Sequence, residues 1–204
     1  MSDSTLLTAT PEWTRETREL GMWVFITTEV LFFGALLFGY LHARIHDPAG
    51  FAAASRHTHL GLGTVNTAIL LTSSFTMVLA VRFSMLDARK LALVALGVTA
   101  GLGLLFLGVK FAEYVLEWRD SLVPGFRFDP SRPDAAALAT FFWLYFVATG
   151  VHAVHLLIGI GAVGWTAIKG PNPLRTETVG LYWHFVDGVW IFLYPLLYLL
   201  ERWR

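Results

Sequence analysis

The chain has 204 residues, no cysteine, and 15 Lys+Arg against 15 Asp+Glu. The balanced charge argues against a nucleic-acid binder, which carries a basic excess, and the missing cysteine excludes disulfides, Cys-ligated zinc, iron–sulfur clusters and a thiol nucleophile. Charged residues make up 15% and hydrophobic ones 55%, which excludes a disordered chain and points to a membrane.

Crossing about 30 Å of hydrocarbon takes about 20 apolar residues. Five stretches qualify, and the sequence predicts an all-α, polytopic membrane protein: a five-helix transmembrane bundle over residues 20–41, 60–82, 90–113, 135–168 and 178–201, forming one membrane domain, 20–204, after a polar tail, 1–19. Backbone in lipid must satisfy its own hydrogen bonds, so these runs are helices, and they lack the period-two alternation of a barrel strand. The tail is mixed in charge and reads as no removable signal peptide, so the first helix is expected to act as its own insertion signal. Asp47-Pro48 and Gly50 break the chain after the first helix. Pro124, Gly125, Pro130 and Pro133 mark the longest connection, and Gly170-Pro171-Asn172-Pro173 ends the fourth helix. Pro195 is expected to kink the fifth. Each side of the membrane receives seven Lys/Arg, but three of them crowd the short turn 82–90. Short loops weigh most in the positive-inside rule, so the N-terminus is assigned to the cytoplasm and the C-terminus to the outside.

Ionisable groups inside the spans call for an explanation. Glu29 lies nine residues into the first helix, roughly 14 Å along the axis. A lone carboxylate there is untenable, which leaves a proton- or lipid-linked site or a carboxyl bonded across a helix interface. His152 and His155 share a face of the fourth helix, and His184 and Asp187 share a face of the fifth. Three histidines suit heme or metal ligation; the alternative is polar contacts joining helices, with Asp187 orienting His184 in either case. Asn66, Ser73 and Ser74 on the second helix, Gly97 and Gly101 on the third and Gly150 on the fourth read as helix-packing positions. Lys110 and Glu113, three apart at the end of the third helix, form an interfacial ion pair or offer Lys110 to a lipid headgroup. His42, His46, His57 and His59 in the first loop lack the carboxylates or cysteines of a metal site and read as exposed. Trp13, Trp23, Trp118, Trp183 and Trp203 fall near span ends, as an aromatic belt does.

Five segments together resemble the heme–copper oxidase subunit III family, the third subunit of cytochrome c and quinol oxidases. They are Phe25-Ile26-Thr27-Thr28-Glu29-Val30-Leu31-Phe32-Phe33; Asn66-Thr67 through Ser73-Ser74; Lys110 through Glu113-Tyr114; Thr149-Gly150 with His152 and His155; and Leu181-Tyr182-Trp183-His184-Phe185-Val186-Asp187-Gly188-Val189-Trp190. The chain is similar to the short five-helix form. Val151 and Ala153 replace a more usual Phe and Gly, and Gly188 stands where Val is common.

The resemblance implies an accessory subunit of a proton-pumping terminal oxidase that reduces oxygen to water. Such a subunit packs against catalytic subunit I with subunit II, binds phospholipid, and protects the active site during turnover. It also implies that this chain binds no metal or redox cofactor, with heme and copper in the partner subunits, and that it takes no nucleic acid or soluble substrate. Glu29 would match the family's buried, carbodiimide-reactive carboxylate, and His152, His155 and His184 would be interhelical contacts. The expected location is a bacterial plasma membrane. The competing readings are an accessory subunit of nitric oxide reductase, a b-type heme membrane anchor using His152 or His155 with His184, and a small transporter built around Glu29.

Overall fold

The computed structural model describes residues 12–125, 128 and 134–200; the tail 1–11, Pro130, Pro133 and Trp203 lie outside them. Among the described residues the chain is helical without a strand: α1 (Glu12–His46), α2 (Pro48–Ser55), α3 (Leu60–Met85), α4 (Arg89–Arg119), α5 (Ala135–Lys169), α6 (Pro173–Tyr194) and a π turn, Pro195–Leu199. Four of these, Leu20–His46 within α1, α3, α4 and α5, are long and apolar enough to cross a membrane.

The element boundaries follow local chemistry. Helix α1 already begins at Glu12, inside the expected tail. The short α2 falls in the connection that follows the break at Asp47-Pro48. It forms because the Asp47 carboxylate accepts the Gly50 N–H at 2.9 Å and Pro48 occupies the first turn, the arrangement that favours a helix N-terminus. Likewise Asn172 accepts the Arg175 N–H and Pro173 opens α6 five residues before its expected start. Gly170, with φ of +84°, allows the turn between α5 and α6. Helix α4 runs on to Arg119, past the expected end near 113. Pro195 does not simply kink its helix: lacking an N–H, it opens a π turn in which Leu200 N–H donates to the Pro195 carbonyl at 3.0 Å.

Helices α3 and α4 form a tight antiparallel pair across the turn Leu86–Ala88, and α6 packs against α3, α5 and α1. Lipid tails give no hydrophobic drive for helix association, so close packing and interhelical hydrogen bonds carry it. Ser73 supplies both. It is fully buried, its Oγ donates to the Thr99 carbonyl of α4 at 3.3 Å, and it accepts the Trp183 indole N–H of α6 at 3.1 Å. Asn66 is buried on the same face of α3.

Trp183 is a core residue rather than part of an aromatic belt. A Cβ at Gly103 would lie 2.9 Å from its ring and one at Gly159 would lie 3.2 Å away. Gly97, Gly101 and Gly150, expected at packing seams, have nothing within 4 Å of a Cβ position. The GxxxG pair therefore sits on the outward face of α4, because the 103–106–110 face is the one turned inward. Helix α1 lies at the edge: 11% of its apolar stretch is buried, against 33% in α4 and α5.

Gly103→Val should lower the stability of the detergent-solubilised chain by about 2 kcal/mol through overpacking, and Gly101→Val should change it by less than about 0.5 kcal/mol. Thermal unfolding in micelles reads both, and equal losses would place the packing seam elsewhere.

Candidate functional site

The inward face of α4 carries Lys110, Glu113 and Glu117 at spacings of three and four, all essentially inaccessible. Lys110 has three ammonium hydrogens and three acceptors: Glu113 Oε2 at 2.9 Å, Tyr145 OH of α5 at 2.6 Å and Tyr198 OH of the π turn at 2.7 Å. Tyr198 in turn donates to Glu113 Oε1 at 2.8 Å. The ammonium lies 4.4 Å from the Tyr145 ring centre and 5.5 Å from that of Trp190, close enough for cation–π attraction. Glu117 lies one turn further along, beside Tyr145. The Lys110–Glu113 pair forms, but buried rather than at the interface, and Lys110 is not open to a headgroup. Because α4 continues beyond Glu113, the pair is enclosed by α5 and the π turn. Tyr145 and Tyr198 carried no local sequence signal. Glu117 did, through the same helical period as Lys110 and Glu113, but it fell beyond the expected helix end.

A second polar contact pins α1 to α5. His155 Nε2 meets Glu29 Oε2 at 3.0 Å, with both side chains largely buried. The other ring nitrogen, Nδ1, donates to the Val151 carbonyl at 2.8 Å. With Nδ1 already carrying a hydrogen, the Nε2–Oε2 bond must hold another proton. Imidazolium with carboxylate, or imidazole with carboxylic acid, both give a neutral pair that the apolar surroundings tolerate. The Phe33 ring packs edge-on against His155, and Tyr182 OH donates to the His155 carbonyl at 2.9 Å.

The remaining candidates are dispersed. His184 Nδ1 bonds Ser74 Oγ at 2.8 Å. Asp187 is buried near Ser74 and makes no bond to His184, so the expected orienting role falls to Ser74. His152 is fully buried between Phe106 and Trp190, with ring centres 5.6 and 5.1 Å away. His152, His155 and His184 thus take different side-chain neighbours. Of the histidines expected in the first loop, His42 and His46 lie in the last turns of α1, exposed, with ring centres 4.3 Å apart and planes tilted by 49°; His57 is exposed, whereas His59 Nε2 is buried.

Residues 1–202 match the family described as cytochrome c oxidase subunit III. The chain belongs to that family. It is 32% identical to the cytochrome bo(3) ubiquinol oxidase subunit 3 of Pseudomonas aeruginosa, over 88% of this chain and 83% of that one. It is 29% identical to the cytochrome c oxidase subunit 3 of Formosania lacustris, over 87% of this chain and 67% of that one. A protein of Aeropyrum pernix named heme-copper oxidase subunit I+III is 30% identical over 87% of this chain, which spans only 22% of that longer protein. Family membership together with four apolar helices of membrane-spanning length makes the chain an integral membrane protein.

Lys110→Met should cost about 3–5 kcal/mol, because it strands a buried carboxylate; adding Glu113→Gln should recover more than half of the loss. Denaturant unfolding in mixed micelles measures the cycle, and additive losses would mean the two groups act independently. Glu29→Gln still offers a donor to His155 Nε2 and should stay within about 1 kcal/mol of the parent, while Glu29→Leu should lose about 1–3 kcal/mol. The same unfolding curves compare these two variants.

Proposed function

We propose that the chain is the non-redox third subunit of a respiratory heme–copper terminal oxidase in a bacterial plasma membrane. It would pack against catalytic subunit I, in a complex with subunit II, and those partners would hold the heme and copper. Five helices cross the membrane in this reading, the fifth being α6 extended by the π turn, with the N-terminus cytoplasmic and the C-terminus outside. The match to the subunit III family along residues 1–202 carries the proposal. The named relatives are oxidase subunits, which favours an oxidase over a nitric oxide reductase or a b-type heme anchor. The bundle geometry agrees: Lys110, Glu29, His155 and His184 bond to neighbouring helices of this chain, as befits a scaffold that stabilises a partner. Phospholipid covers the apolar outward faces.

Removing this chain from the purified oxidase should leave the heme content and initial turnover rate unchanged and shorten the lifetime of activity during turnover. Parallel oxygen-electrode traces of the complete and depleted complexes read this directly. Equal lifetimes would overturn the stabilising role, and failure of the chain to copurify with a heme-bearing subunit would overturn the assignment itself.

A further inference from the structure

The last turns of α3 and the first turns of α6 end on the same side of the bundle. Gly180 lets them approach closely, since a Cβ there would sit 3.1 Å from Val81. Above this contact runs a groove of about 290 Å³, floored by Val78, Val81 and Met85, with Arg82, Glu177 and His184 also lining it. Arg82 lies three residues from the end of α3 and Glu177 four from the start of α6. At 1.5 Å per residue both stand about 6 Å or less inside their helix ends, the depth of lipid headgroups. His184 is seven residues beyond Glu177 on α6, roughly 10 Å deeper, where Ser74 holds its Nδ1.

Among the described residues, neither the Arg82 guanidinium nor the Glu177 carboxylate has a hydrogen-bond or ion-pair partner, although both line the same groove. Lys110, Glu113, Glu29 and His155 by contrast are all paired. A cation and an anion left apart at the mouth of an apolar channel complement a ligand that carries both charges on a short link and an apolar tail. A phosphoethanolamine lipid meets this description. Its phosphate accepts from the guanidinium fork, its primary ammonium donates to the carboxylate, and an acyl chain lies along Val78, Val81 and Met85. Phosphatidylglycerol has no cation for Glu177, and a choline headgroup has no N–H to donate.

We propose that the α3–α6 groove is a selective site for a phospholipid whose headgroup joins a primary ammonium to a phosphate, with the phosphate on Arg82 and the ammonium on Glu177. The proposal rests on the reading of α3 and α6 as membrane-spanning, and it gives the general lipid contact of that reading a location and a headgroup class.

The test is native mass spectrometry of the oxidase complex containing this chain, released from nanodiscs of equimolar phosphatidylethanolamine and phosphatidylglycerol, for the parent, Arg82→Gln and Glu177→Gln. The parent should retain phosphatidylethanolamine over phosphatidylglycerol by about tenfold; Glu177→Gln should bring the two within about twofold, and Arg82→Gln should reduce retention of both by about tenfold. Both side chains reach the surface, so the variants are expected to assemble, and unchanged heme content confirms it. A parent that retains the two lipids equally, a preference that survives both substitutions, or detergent alone in the groove would overturn the site. If the chain copurifies with no heme-bearing subunit, the proposed function fails, and the same lipid competition on the full chain in nanodiscs still decides the groove.

Discussion

An ammonium in hydrocarbon has three hydrogens to place and no water to receive them. In this chain each finds an oxygen on a different residue: Glu113 on the same helix, Tyr145 on α5 and Tyr198 beyond α6. That closure ties three parts of the chain, 88 residues apart at the extreme, to one atom. It also accounts for features that look unrelated. The π turn after Pro195 carries Tyr198 into the bundle, and Gly63 on α3 leaves room for its ring, which would lie 2.9 Å from a Cβ there. Shortening α4 at Glu113 would leave the cluster without its enclosing turn and its third member, Glu117.

Away from this centre the bundle is held by small, single contacts. The indole N–H groups of Trp183 and Trp190 on α6 donate to Ser73 and Thr67 of α3, and Gly103 and Gly159 admit Trp183 between α4 and α5. Helix α1 is held differently. It buries little of its surface and depends on point contacts: Glu29 with His155, and Tyr40 OH with the Leu196 carbonyl at 2.7 Å. An edge helix with few packed neighbours has low local stability, and the Glu29–His155 bond is one polar contact that attaches it to α5.

The ionisable groups thus sort by depth and company. In the interior, Lys110 with Glu113 and Glu29 with His155 hold helices together. Those at the α3–α6 mouth remain open to something outside the chain, alongside an outer surface of exposed Leu, Val, Ile and Phe side chains. Such a division suits a subunit that supports a redox partner: paired interior charges brace the bundle, and the exterior is left to lipid and neighbouring protein.

How much of this was legible in the sequence depends on the range of the interaction. The apolar runs, their helical state, and the breaks at Asp47-Pro48 and Gly170-Pro171 are local consequences of hydropathy and backbone chemistry, and a single strand of residues contains them. The need of Glu29 for a partner was equally legible, because burial of one carboxylate is a property of its own segment; the choice of His155, 126 residues away, was not. Local pattern also misled where orientation mattered. A GxxxG spacing marks one helix face without saying whether that face turns inward, and Lys110-x-x-Glu113 marks an ion pair without saying where its helix stops. By itself, then, the sequence determined a helical membrane chain and the polar groups that must be satisfied within it. Only the tertiary structure decided which distant oxygen satisfies each donor and which glycine meets a tryptophan, because those contacts depend on how the rods are rotated and ordered, and that is set by all of them packing at once.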